Sequence, residues 1–575
     1  MQPVDYTTLM ATCAELNRDW IPSKIEQVYQ RDRFTISLGL RTLKAKPWLT
    51  ISWHPEAARI NIGDPPPRVK DTFTFSDQLR HQINGLALIK IAAIAPWERV
   101  IDLQFAQRPG DAPLWHLYVE IMGKYSNVIL TDDQQQIIAP ARQITSNQSS
   151  VRPILTGQLY QAPPSLTGTT PKLDESLTRW QERVSLIPGN LKRQLLQAYR
   201  GLSPRVAEEI ILAAGLSLMQ TTDTLQPQDW QELYSFWQKW LIILDQKQFN
   251  PGWLQDGYTV LGWQKTAPVP QLQNLLHQYY EQAVNQQQFG QLYQQLNQKL
   301  NNLLKKLRLK ADTFRDRLEE SAEADSYRQQ ADLLMAHLHQ WQPGMKSITL
   351  DDFETGNPVK IKLNPEKNAV QNAQALYKNN QKLKRAKGAV VPLLAAVDEE
   401  INYLSQVQTS LNQLQSEDLE ALLEIKTELI QQNYLTSARQ EEQRQVEKDS
   451  QPYRYTVPSG FQLWVGRNNR QNDLLTFRTA VEYDLWFHTQ EIPGSHVLLR
   501  LEPGAVPSEE DLQFTADLTA YYSQARDSDQ VPVIYTKPKN VYKPKGAKPG
   551  MVIYKQETVI WGRPQLAKEY LAKQE

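Results

Sequence analysis

Two apolar stripes constrain this chain more than any other feature. Leu296, Leu300, Leu303, Leu307, Phe314 and Leu318 recur at steps of three, four and seven, and Val397, Ile401, Leu404, Val407, Leu411 and Leu414 repeat the pattern downstream. Residues at such spacing line one face of a helix, and that face needs a second helix to cover it. Between the stripes, SITLDD and PVKIKL, within Ile348 to Leu363, read as two short strands where the chain turns back. The expectation is a long antiparallel coiled-coil arm with a small tip. At 1.5 Å per residue, a helix of about 45 residues spans about 70 Å, which no single compact core accommodates. The 575 residues are instead enough for about four domains at about 150 residues each.

The segments around the arm differ in kind. From Lys24 to Ile62, runs such as FTISL and PWLTISW are separated by turn residues, as in antiparallel strands, and Leu117–Leu130 with Gln136–Pro140 reads as a hairpin around Asp132 and Asp133. Pro and Gly residues scattered from Pro153 to Pro171 read as a linker. Between Leu191 and Leu216 two short helices fit, with Gly201 to stop the first, Ser203 to cap the second and Pro204 at its first position. That is a helix-hairpin-helix outline. The charged, Gln-rich run from Gln440 to Gln451 closes the arm. A final domain follows with strand runs FQLWVG, HVLLRL, VPVIYT and GMVIYK and one helix from Pro507 to Ala525. The fold class is therefore α+β and multidomain: a β-rich antiparallel domain with helices over 1–165, a helix-hairpin-helix region over 172–268, the arm over 269–450 and an α+β domain over 451–575.

Charge and cysteine content narrow the chemistry. Lys plus Arg and Asp plus Glu each number 63, so a polyanion must be met by local patches rather than by the whole body. Cys13 is the only cysteine, which excludes a disulfide framework and a multi-thiolate metal site. The N-terminus lacks the basic start and apolar run of a secretory signal, and Leu86–Ala95 is too short to span a bilayer, so a cytoplasmic protein without membrane contact is expected. Asp484, His488 and His496 lack a further ligand at helical spacing, and no metal or cofactor is expected.

Three regions carry candidate RNA contacts. Gly466–Arg500 concentrates Arg467, Asn468, Asn469, Arg470, His488 and His496 beside Trp486 and Phe487, groups suited to phosphate contact and base stacking but equally to a hydrogen-bonded interior. Lys537–Lys555 holds six lysines and no acid, among them Lys537, Lys539, Lys543, Lys545 and Lys548. The Gly201 turn offers backbone N–H groups to a phosphate, flanked by Arg200 and Arg205. The adjacent Glu98 and Arg99 follow Trp97 at the expected start of a strand, where neighbours point to opposite faces.

Taken together, LYVEIMGKYSNVILTD, PVKIKLNPEKNAVQNAQALYKNNQKLK, GRNNRQND, DLWFHTQEIPGSHV and KPKGAKPG, in that order, resemble the NFACT family of ribosome quality-control factors, the RqcH and NEMF group. The resemblance covers essentially the whole chain. It implies an NFACT-N domain, a helix-hairpin-helix, a coiled-coil arm and an NFACT-R domain. It also implies a non-enzymatic adaptor that binds the large ribosomal subunit carrying peptidyl-tRNA and recruits alanine tRNA. The ribosome itself then adds the alanine tail, with RqcP as a further partner. The family's acidic residue and Asp-Arg pair needed for tRNA recruitment fall on Asp5 and on Glu98-Arg99, where the acid is one methylene longer. Two other readings fit less well. A glycosylase of similar architecture needs a free N-terminal proline and a four-cysteine zinc finger, whereas Pro3 follows Gln2 here. A surface fibronectin-binding adhesin needs export and anchoring signals.

Overall fold

The computed structural model describes residues 1–67, 71–164, 168–436 and 450–573. It divides into two compact units, Met1–Val284 and Asn285–Glu575.

The first unit is built on a nine-stranded sheet of order β4-β3-β2-β1-β5-β6-β7-β8-β9, in which every neighbouring pair is antiparallel. Its elements are α1 (Tyr6–Asp19), β1 (Ser23–Asp32), β2 (Thr35–Arg41), β3 (Trp48–Ser52), β4 (Arg59–Gly63), α2 (Thr74–Ile83), β5 (Ala87–Ala93), β6 (Val100–Ala106), β7 (Trp115–Glu120), β8 (Asn127–Asp132) and β9 (Ile137–Pro140). The stretch Leu117–Leu130 is thus two strands joined through Gly123, whose positive φ of 58° favours glycine. Leu9 and Leu16 of α1 and Leu79 and Ile83 of α2 are buried against the sheet. The Pro- and Gly-rich stretch after Pro153 is tied to the sheet rather than free. Ile154 bridges Ile144, Tyr160 stacks on Tyr118 at 3.9 Å, and buried Glu120 accepts from Arg152 Nη1 (3.0 Å) and Tyr160 Oη (3.0 Å).

Helices α3 (Leu177–Val184), α4 (Leu191–Ala198), α5 (Pro204–Ala213) and α6 (Pro227–Gln246) form a second core. Trp180, Trp237 and Trp240 are fully buried there. As the residue types require, Ser203 caps α5 and Gly201 has φ +81°. A small sheet of β10 (Gly252–Leu254), β11 (Gly257–Thr259) and β12 (Ala267–Pro268) precedes α7 (Leu272–Ala322). The first turn of α7 is capped from a distance: buried Glu15 accepts from Leu272 N (2.9 Å) and Gln273 N (3.0 Å).

In the second unit, the later part of α7, α8 (Ala324–Ala336) and α9 (Ala369–Gln413) make the arm. Leu296 and Leu300 cluster with Leu404–Leu411, and Phe314 with Val390 and Val397, so α7 and α9 run antiparallel. Leu304 is buried where the sequence pattern pointed to Leu303, which is only partly covered. The hairpin of β13 (Ser347–Asp351) and β14 (Pro358–Lys362) packs on Leu333, Leu334 and Ala373. An additional helix, α10 (Leu419–Gln431), covers the α7–α9 seam with Leu422, Ile425 and Leu429. The run from Gln440 lies outside the described residues up to 449.

The C-terminal sheet has six strands in the order β15-β16-β18-β17-β19-β22. They are β15 (Tyr453–Thr456), β16 (Gln462–Val465), β17 (Leu485–Thr489), β18 (Val497–Leu499), β19 (Val531–Thr536) and β22 (Thr558–Gly562), with β20 (Val541–Tyr542) and β21 (Ile553–Tyr554) paired separately. Three helices accompany it rather than the expected one: α11 (Asn469–Leu474), α12 (Glu509–Tyr521) and α13 (Pro564–Ala572). α11 is too short to show helical periodicity in sequence, and α13 starts on a proline at its first turn.

Candidate nucleic-acid interface

The fold brings together three regions that are far apart in sequence: Asp5, the Trp97–Glu98–Arg99 turn and the Gly201 turn. Asp5 caps α1, accepting from Thr8 N at 2.7 Å with Oδ1. Its other oxygen accepts from Ser203 Oγ at 2.5 Å, and Ser203 Oγ accepts from Val206 N at 3.1 Å. One carboxylate therefore serves the N-termini of α1 and α5. Asp5 is only 6% exposed, and both its oxygens are taken up in positioning these two helices.

Trp97 has φ +66°, a left-handed conformation that is a clear outlier for a bulky residue and costs of order 1–3 kcal/mol. Its surroundings hold it there. Tyr6 and Trp240 pack on its ring at 4.9 and 5.5 Å, and Gly201 lies so close beneath it that a Cβ would stand 2.6 Å from Cε3. Trp240 is fixed in turn by donating from Nε1 to Thr7 Oγ1 at 3.0 Å. Glu98 and Arg99 consequently sit in the turn between β5 and β6 rather than on a strand, so alternation does not separate them. Both are half-buried, and neither forms an ion pair with a described residue. Arg99 contributes its carbonyl to Ile121 N at 2.9 Å.

The Gly201 turn is a seat for Trp97, and Arg205 is occupied: Nη2 donates to Asp256 at 2.8 Å, with Glu208 at 3.6 Å and Glu209 at 3.9 Å. Arg200 is anchored through its backbone N–H to Thr169 O. Below Arg205, Glu209 is buried and accepts from Thr259 Oγ1 at 2.5 Å. Burial outweighs these contacts and pushes its carboxyl from 4.5 up to about 8. The folded protein thus holds a proton that the unfolded chain releases near 4.5. The group's contribution to stability is complete below that pH, declines as pH rises to about 8 and is flat above. Glu209→Gln keeps an acceptor for Thr259 and removes the titration. Its thermal midpoint should exceed wild type at pH 8.5 and match it at pH 4.5, a difference on the order of a few kcal/mol; equal midpoints at both pH values would refute the assignment.

In the C-terminal domain most of the polar motif faces inward. Arg467 pairs with Asp418 and lies over the Tyr453 ring at 4.0 Å. Asn468 caps α11 and donates to Glu424, and Asn469 donates to Glu428 at 3.0 Å. His488 and His496 are buried, and desolvation pulls them down to about 4 and about 3, so both are neutral at pH 7. Arg467, Asn468 and Asn469 thus tie the motif to Asp418 and α10, while His488 and His496 lie in the domain interior. Asp484 accepts from Val481 N, Leu501 N and Arg500, which accounts for its burial. Arg470 is exposed.

The lysines divide likewise. Lys537, Lys539 and Lys545 are exposed and form no ion pair with a described residue. Lys543 pairs with Asp473. Lys548 is held over the rings of Tyr403 (4.7 Å) and Tyr434 (4.8 Å) and donates to the Tyr434 hydroxyl, and burial lowers its pKa. It fastens the basic loop to α9 and to the turn after α10. Among the described residues, the three-member group of potential metal ligands is elsewhere, Asp64, His277 and Glu281, with Asp64 exposed. No described helix is long and apolar enough to cross a membrane.

Residues 5–448 match the NFACT N-terminal and middle domains, and residues 451–556 match the NFACT protein RNA binding domain. The chain is 30% identical over 568 residues to the Rqc2 homolog RqcH of Bacillus subtilis (strain 168), covering 96% of each. It is 31% identical over 561 residues to the Rqc2 homolog RqcH of Streptococcus suis, covering 95% of each. Among solved structures, the C-terminal part of the fibronectin/fibrinogen-binding protein from Streptococcus suis is 31% identical, and the match covers 48% of this chain and 95% of that one with a TM-score of 0.37.

Proposed function

The chain belongs to the NFACT family, and from that premise we propose that it is a ribosome quality-control adaptor that binds the large ribosomal subunit carrying peptidyl-tRNA. In this reading it recruits alanyl-tRNA and directs a C-terminal alanine tail, while the ribosome forms the peptide bonds. The observation that carries the reading is the convergence at Trp97. A strained, tightly packed turn carries a carboxylate and a guanidinium on adjacent half-buried residues, neither in an ion pair with a described residue. A guanidinium can stack on or hydrogen-bond to an unpaired base, and a carboxylate accepts from exocyclic amines, which suits an RNA loop with exposed base edges. Asp5 and the Gly201 turn act by fixing that presentation.

The exposed Lys537, Lys539 and Lys545 supply phosphate contacts in the C-terminal domain. The test is to sediment the protein with large subunits and sequence the tRNA recovered with it, for wild type and for the triple Gln variant. Wild type is expected to carry one enriched alanine tRNA. The triple variant should bind RNA with a slope of log affinity against log salt reduced by roughly 0.7 to 0.9 for each phosphate it no longer neutralises. A protein that fractionates with the cell envelope and carries no tRNA would overturn the proposal.

A further inference from the structure

The two C-terminal motifs, GRNNRQND and the lysine loop, meet at one cavity of about 530 Å³. It is lined by Glu424 of α10, Ser450, Arg470, Gln471, Asp473 and Leu474 of α11, Phe477 and Arg478 beyond it, and Lys543. We propose that this cavity receives a single unpaired nucleotide of an RNA partner, its base stacked on Phe477 and its phosphates held at the rim by Arg470 and Arg478. The proposal rests on the RNA-binding reading above and adds the site and the kind of RNA.

Four observations converge. The volume lies within the roughly 300–1,000 Å³ usual for small-ligand sites. Phe477 is 40% exposed and Leu474 is 44% exposed, an apolar pair at the cavity mouth with nothing in the described protein to cover it. Arg470, Arg478 and Lys543 line the same cavity, Lys543 in a pair with Asp473, and an aromatic platform beside cationic side chains is the arrangement that captures single-stranded nucleic acid. Finally, Phe477 and Arg478 sit in a π-helical segment, Leu475–Thr479, a rare backbone form concentrated at functional sites.

That segment is held in place by the buried residues of the motif. Thr476 Oγ1 accepts from Trp486 Nε1 at 3.0 Å, lies 2.7 Å from His496 Nδ1, and donates to Asn472 O at 2.8 Å. Trp486 and His496 are thus positioning residues for Phe477. The charge pattern sets the ligand's direction. Glu424 lies at the buried end, accepting from Ser450 N (2.6 Å) and Ser450 Oγ (2.8 Å). A phosphate is repelled from that end and a base is not. Asp473, paired with Lys543, keeps the rim from being uniformly cationic, which favours one nucleotide with its flanking phosphates over a continuous duplex backbone.

The experiment uses the full chain, a hairpin RNA with an unpaired loop, the same RNA with single abasic positions, and a fully paired duplex. Phe477→Ala should weaken loop binding roughly tenfold without changing the salt slope, because a stacked ring neutralises no phosphate. Phe477→Trp should restore it, and Arg478→Gln should lower both affinity and slope, the latter by roughly 0.7. One abasic position should weaken wild type and leave Phe477→Ala unaffected. Thermal midpoints of all variants report whether they are folded. If Phe477→Ala, folded, binds the loop within twofold of wild type, the cavity is not the nucleotide site although the RNA-binding reading stands. Equal weakening on loop and duplex would also overturn it. A wild-type chain that binds neither RNA would overturn both readings.

Discussion

Replacing Glu98 and Arg99 together with Ala is expected to abolish C-terminal tailing of a stalled reporter while leaving the protein folded and bound to large subunits. The turn's conformation is set by Trp97 against Tyr6, Trp240 and Gly201, none of which changes. Neither substituted side chain forms an ion pair with a described residue and both are half-buried, so stability should fall by no more than about 1 kcal/mol. Base contacts of this kind discriminate by roughly 1–3 kcal/mol each, so removing two takes away enough selectivity to erase the enrichment of one tRNA. Glu98→Asp, which restores the family pair, should keep tailing. Tail length by mass spectrometry, together with the sequence of copurified tRNA, decides the matter. Normal tails and unchanged tRNA from the double variant would show that the site lies elsewhere.

Gly201→Ala should disable the same site without altering Glu98 or Arg99. The left-handed backbone penalises Ala, and the added methyl would stand 2.6 Å from the Trp97 ring. Together these cost about 2–4 kcal/mol, and either the helix pair or the Trp97 turn must shift. Gly215 is the control, because its φ is +76° but nothing lies within 4 Å of the added methyl. Gly215→Ala should bear the backbone penalty alone and retain tRNA selection. If the two variants have the same midpoint and the same tRNA content, Gly201 does not support the turn.

The parts that were legible in the sequence are those whose cause is local. Ser203, Pro204 and Gly201 specify a helix turn through cap, fixed φ and left-handed backbone, and each occupies that role. The leucine stripes specify a helix pair because period alone demands it. Arg467, Asn468 and Asn469 were illegible for the opposite reason. Their partners are Asp418, Glu424 and Glu428, more than forty positions away, and a polar cluster has the same composition whether it faces RNA or a buried acid. The strand β17 was hidden similarly: buried at the middle of a sheet, LWFHT shows no alternation. At the first site the residues were visible but not the strain, since nothing in Trp97's neighbours announces a positive φ. Phe477 was unmarked because its exposure depends on a π-helical turn held by Trp486, a residue beyond it in the chain.

The joint between α10 and the C-terminal sheet bears on how such chains can be recombined. The two family matches meet between residues 448 and 451, which suggests a module that could be exchanged there. The buried pairs Asp418–Arg467, Glu424–Asn468 and Glu428–Asn469 cross that point, as does Lys548 between Tyr403 and Tyr434. A graft cut at 451 would strand buried amides and a guanidinium without acceptors, at about 1–3 kcal/mol for each. The heritable segment and the cooperative folding segment therefore have different edges, and viable exchange between relatives should carry α10 along with the sheet it serves.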